Sequence, residues 1–209
     1  CAQTRMRGAR SRSAKALALA LALAVPMAAG GSFDARLDHT HAIQAAVIAR
    51  ELGRPVQLVW SRWQEMIASP PRAPATARLA ARLGRDGDIV SLATRIAMPP
   101  FMREQGARLL DNRTTWAARE ETAGQADPLA LAGAVPAYAI PNLSVDHVSV
   151  GIGLPVARMR GGGDAITAFF TECFIDEVAE ALGREKLSYR IAMLGQDLRM
   201  VEVLQRVAR

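Results

Sequence analysis

The apolar residues of this 209-residue chain change their period several times, and each change marks an element. From Thr40 to Leu52, Ile43, Ala46, Val47 and Ala49 recur at helical spacing and Gly53 follows as a stop, so a helix is predicted there. After Pro55, the run Val56-Gln57-Leu58-Val59-Trp60 is β-branched and aromatic and predicts a short buried strand. Prolines between Pro70 and Pro74 break regular structure. Residues 77–83 and 89–96 then flank Gly84-Arg85-Asp86-Gly87, whose Asp-Gly pair predicts a two-stranded antiparallel hairpin. Residues 99–127 mix charge with few periodic apolar positions and read as a long, partly helical excursion.

Residues 143–150 alternate apolar and polar like a half-buried strand, ended by Gly151, Gly153 and Pro155. A helix over about 165–182 carries Ile166, Phe169, Phe170, Cys173, Phe174 and Val178 on one broad face, with Gly183 as its stop. That placement makes Cys173 a core residue. An amphipathic segment at 187–194 leads into a polar, helix-prone tail, and no internal repeat is visible.

Half of the residues are hydrophobic and 22% are charged, which suits an ordinary core and excludes a disordered chain or a disulfide-stapled miniprotein. A formal charge of +6 invites a nucleic-acid reading. Its distribution answers that: Arg5, Arg7, Arg10, Arg12 and Lys15 precede the first acid, Asp34, and from there 21 bases meet 20 acids. The excess belongs to a short N-terminal segment, so no nucleic-acid partner is expected. Two cysteines, Cys1 and Cys173, cannot build an iron–sulfur cluster or a structural zinc site unaided.

Residues 1–29 allow two readings. Basic residues up to Lys15, an apolar run over 16–25 and small residues at Ala28 and Ala29 resemble a secretory signal, too short to span a membrane. The alternative is an internal helix over 13–21 and a short strand delivering Gly30-Gly31-Ser32-Phe33, which the initial Cys1 favours. The domain division is therefore 1–29, the N-terminal segment, and 30–209, the main body.

The most informative local element is Met159-Arg160-Gly161-Gly162-Gly163-Asp164 ahead of the long helix. Three glycines let amide N–H groups turn towards one point, and the helix N-terminus adds partial positive charge, a setting for a phosphate or polar heterocycle. Arg160 can add a forked donor. The plainer reading is a loop closed by Asp164 as an N-cap. The spacing is neither a P-loop nor a dinucleotide fingerprint. Gly30, Gly31 and Phe33 form a second, weaker element, where paired glycines allow close approach of a ligand. His39 and His41 are two apart and read as capping or surface groups, so no metal site is assigned.

Taken in order, Gly30-Gly31-Ser32-Phe33, residues 42–66, residues 134–163 and residues 168–194 resemble the molybdopterin-binding subunit of the xanthine oxidase family, of the isoquinoline 1-oxidoreductase or bacterial aldehyde dehydrogenase type. The resemblance implies an α+β fold of mixed helices packed on short sheets, part of a molybdopterin-binding domain. It implies the molybdenum cofactor, bound near Gly30, Gly31, Phe33, Arg160, Gly161, Gly162 and Gly163. It also implies oxidation of aldehydes or N-heterocycles, with the remainder of the subunit and a small iron–sulfur electron-transfer subunit as partners. A cytoplasmic location is favoured over a periplasmic one, with no membrane span.

Departures from the family pattern are specific. Asp34 replaces a glycine next to the metal, Gly162 replaces the aromatic that stacks on purines, and the essential glutamate base has no counterpart. No catalytic residue can be named. The chain by itself is expected to be inactive even with Asp34→Gly, and a non-catalytic remnant of the same fold is the alternative.

Overall fold

The computed structural model describes residues 31, 33, 34 and 37–209; Gly30 and the helix and strand expected before it lie outside them. The chain divides into two compact units, Cys1–Pro70 and Pro71–Arg209.

In the first unit, α1 (Thr40–Leu52) ends at Gly53, whose φ of 63° is the left-handed conformation a helix C-terminus favours. His39 occupies the N-cap position without making a side-chain cap bond. Residues 56–60 are not the predicted strand: a strand needs a row of hydrogen-bonded partners, and none pairs with them among the described residues. Trp60 instead packs edge-on against His41, and its indole N–H donates to Gln44 Oε1 at 2.9 Å. A second helix follows, α2 (Arg62–Ala68), opened by a capping box in which Ser61 and Gln64 satisfy each other's backbone N–H.

The second unit is built on a three-stranded sheet, β1 (Thr76–Leu83), β2 (Ile89–Met98) and β3 (Asn142–Ser149), in that order. The expected hairpin forms, with β1 antiparallel to β2 and a bulge at Arg82/Leu83. The sheet then gains β3, parallel to β2, after a crossover through α3 (Phe101–Leu110), α4 (Thr115–Thr122) and a 3-10 turn at Pro128–Leu131. Strand periodicity turns Leu92, Thr94, Ile96 and Met98 of β2 inward.

Three more helices complete the unit: α5 (Asp164–Ala181), α6 (Lys186–Met193) and α7 (Leu198–Val207). The C-terminal half of α5 places Ile175, Val178 and Ala179 in a core with Ile89, Leu92, Tyr189 and Met193. Its N-terminal half places Ile166 and Phe170 against Ile96, Met98, Phe101 and Val156. Tyr189 donates its hydroxyl to Gly87 O at 3.0 Å, tying α6 to the hairpin turn.

The buried face of α5 differs from the one the sequence suggests. Thr167, Thr171 and Ile175 point inward, while Phe169 is 64% exposed and Cys173 is also exposed rather than a core residue. The helix is apolar around much of its circumference, so periodicity alone does not choose a face. Thr167 can be buried because its hydroxyl bonds Ala132 O at 2.8 Å and Gly163 O at 3.1 Å.

Candidate functional site

The glycine turn that heads α5 is built by contacts far apart in sequence. Residue Arg72 bridges Ala157 in parallel fashion, and Ala157 N–H donates to Pro71 O at 3.0 Å. From there the Arg72 guanidinium donates to Arg160 O at 2.8 Å, with a longer contact to Gly162 O at 3.5 Å. The turn closes through Gly162 N–H to Met159 O at 2.8 Å and Ala165 N–H to Gly161 O at 3.2 Å.

Two different demands explain the glycines. Gly161 and Gly162 have φ of 84° and 49°, the left-handed region in which a side chain is strained. Gly163 is set by close approach: a Cβ there would lie 2.3 Å from Ala130 O. Gly163, with helical dihedrals, is the N-cap of α5, and Asp164 is its first residue, so the expected Asp164 cap does not form. The Asp164 carboxylate lies beside Gly133, where a Cβ would come within 2.6 Å of its Oδ1. Arg160 is exposed.

Behind the turn, α3 carries three buried polar side chains that hold the approach segment. Glu104 Oε2 accepts from Val156 N–H at 3.0 Å, Gln105 Oε1 from Arg158 N–H at 2.9 Å, and Arg108 donates to Val156 O at 3.0 Å. Burial raises the Glu104 carboxyl above its ordinary pKa of 4.5, with the Val156 N–H and the Arg108 cation pulling the other way. None of these residues was singled out from sequence, nor was Arg72, which lies 88 positions from the carbonyl it binds. Only Glu104 and Arg108, four apart on one helix, left a visible trace.

A second polar network belongs to packing. Tyr138 donates to Glu172, and Arg190 joins Glu172 at 2.9 Å and Asp176 at 2.5 Å, clamping α5 to α6. Burial and the adjacent Glu172 carboxylate both raise the Tyr138 phenol. Burial works against the Arg190 cation, but its carboxylate bonds win and hold it above the usual range.

In the first unit, the Phe33 ring folds back on Gly31, where a Cβ would come within 2.8 Å of it. Phe33 and Asp34 have φ of 49° and 68°, so Asp34 adopts the conformation that suits the glycine expected at its position. His39 and His41 share no ligand geometry, and among the described residues no group of three His, Cys, Asp or Glu side chains could hold a metal ion. No described helix is long and apolar enough to cross a membrane.

This α+β fold and its glycine-headed helix define a class. Residues 19–99 match the family model described as the molybdopterin cofactor-binding domain. The chain is 30% identical over 180 residues to the isoquinoline 1-oxidoreductase subunit beta of Brevundimonas diminuta, covering 86% of this chain and 22% of that protein. The aldehyde oxidoreductase of Desulfovibrio gigas superposes with a TM-score of 0.60 at 25% identity, over 78% of this chain and 16% of that one. The Desulfovibrio desulfuricans aldehyde oxidoreductase matches in fold, with a TM-score of 0.60 at 24% identity. Part of a molybdopterin cofactor-binding domain is thus present in this chain, which resembles proteins of the xanthine oxidase family and spans about a fifth of the curated relative's length.

Proposed function

We propose that this chain supplies part of the molybdopterin-cofactor pocket of a molybdenum hydroxylase that oxidises aldehydes or N-heterocycles. The carrying observation is the exposed Arg160 on a glycine turn at the head of α5, in a chain related to enzymes of that kind. The donor set fits the group: a guanidinium and helix-terminal amides favour an anionic, acceptor-rich ligand. Arg160 and the amides around Gly161, Gly162 and Gly163 would hold it. The cofactor, when bound, supplies oxidation of a substrate carbon with oxygen from water and takes up two electrons.

The remainder of the subunit and a small iron–sulfur electron-transfer subunit are the partners of this reading; the subunit designation of the Brevundimonas relative supports a further subunit as such. A reducing cytoplasm suits the exposed Cys173 thiol. The second reading, a non-catalytic remnant, is favoured by one observation, the carboxylate of Asp34 where the family has glycine: that charge would repel an anionic oxo-metal centre. The complete reading frame, expressed with its neighbours in cells that make the cofactor, decides between them. Oxidation of benzaldehyde or isoquinoline with an artificial electron acceptor is expected, and a fully loaded protein that oxidises neither would overturn the enzymatic reading.

A further inference from the structure

We infer that the outer edge of β3 is completed by a fourth strand, an extended segment from the part of the subunit lying outside these 209 residues. Only the kinship with longer proteins is needed for this, and the cofactor reading is not. Along a strand the N–H and C=O of one residue point to the same side, and those of the next residue to the other. Val150 N–H donates to Met98 O at 3.2 Å, and β3 keeps an unbroken parallel register with β2. The even-numbered residues of β3 therefore face β2, while Leu143, Val145, His147 and Ser149 turn both backbone groups outwards. β3 is the last strand of the sheet, and these outward groups have no hydrogen-bond partner among the described residues.

This edge differs from the one at β1. Exposed Arg78 and Arg82 lie along β1 and a bulge breaks its end, devices that discourage the addition of a strand. β3 has no Lys, Pro or bulge, and its single carboxylate, Asp146, is engaged by Arg95 at 3.3 Å. A groove lies beside it, with Val145 and Val148 on the strand side and Ala126, Pro128 and Leu131 on the other. An open ladder next to an apolar groove is the geometry of strand addition: backbone bonds hold the segment and alternate side chains enter the groove. The segment it fits has apolar residues facing Val145 and Leu131. On the opposite face the row Arg78, Arg95, Asp146 crosses the sheet and ends on a carboxylate, which favours Lys or Arg beside it.

The groove and the lengths of the relatives together choose the occupant. A single extended chain fits between the edge and the 126–131 wall, whereas a second copy of the sheet would bring its own wall against this one. This chain covers 22% of the Brevundimonas subunit and 16% of the Desulfovibrio gigas enzyme, so most of such a polypeptide lies elsewhere. A segment of the same polypeptide acts at a high effective concentration that a separate molecule must match by affinity.

The test uses the complete subunit that contains this chain. Residue-resolved amide hydrogen exchange compares two sets on one strand: Ser144, Asp146 and Val148, which face β2, and Val145, His147 and Ser149, which face outwards. With a fourth strand in place the outward set is expected to exchange within about tenfold of the inward set, at rates unchanged by dilution. A photoreactive benzoylphenylalanine in place of Ser144, an exposed position, should crosslink to a segment of the same polypeptide outside the 209 residues. Outward amides that exchange more than about tenfold faster than the inward ones would overturn the inference. So would protection that is lost on dilution, which assigns the edge to a second copy, or a crosslink to any other partner.

Discussion

His147 Nδ1 accepts the backbone N–H of Asp127 at 3.0 Å, while its Nε2 lies 3.1 Å from Met98 O. A neutral imidazole protonated on Nε2 satisfies both contacts. The same Asp127 is 1% exposed, and its carboxylate accepts the amides of Met102, Arg103 and Ala130. One strand residue thereby fixes the aspartate that caps both α3 and the 3-10 turn, and α3 in turn holds the segment entering the glycine turn. Replacing His147 by Leu strands the buried Asp127 N–H and should cost about 1–3 kcal/mol, read as a lower urea midpoint with an unchanged slope.

Glu104 gives the pH dependence a definite sign. Its folded-state pKa is raised above 4.5 by burial, so the neutral acid is favoured on folding. Its contribution is greatest below that value and declines as pH climbs through the folded pKa. Stability of the wild type relative to Glu104→Gln should therefore fall between pH 4 and pH 7, in paired urea titrations at several pH values. A difference that stays flat, or rises, contradicts the shift.

Thr94 faces the core of the sheet at 2% exposure, and its hydroxyl has no hydrogen-bond partner among the described residues. Thr94→Val keeps the shape and removes a buried unsatisfied group. The variant is expected to be more stable by about 1 kcal/mol, visible as a higher melting temperature.

Gly163→Ala would set a methyl against the Ala130 carbonyl at a separation real side chains do not show. The backbone of the 3-10 turn or of the α5 N-terminus must move, at a cost of about 1–3 kcal/mol. Because the same movement displaces the glycine turn, the variant should also lose pterin, whereas alanine at Gly106, with open space around it, should leave pterin content unchanged.

Local signals carried much of the fold. The Gly53 stop, the Asp86-Gly87 turn, the alternation at 143–150 and the Gly183 stop all locate real element ends, because each is decided by backbone geometry within a few residues. Helix α2 has an equally local signal in its Ser61-x-x-Gln64 capping box. The inward face of α5 was not legible: burying Thr167 depends on an acceptor at Ala132 that no periodicity shows. Strand character at 56–60 failed for the same kind of reason, since β-propensity expresses itself only beside a partner strand. In the candidate site, Arg160 and the three glycines were visible as a motif, whereas Arg72, Glu104, Gln105 and Arg108 act on backbone groups 48 to 90 residues away.

Molybdenum and pterin content of the complete subunit that contains this chain, purified from cells that make the cofactor, test the central claim most directly. The account predicts both in the wild type, by metal analysis and by fluorescence of the oxidised pterin, and a marked loss of both in Arg160→Met at unchanged melting temperature. Wild-type protein that folds yet carries neither metal nor pterin would contradict it.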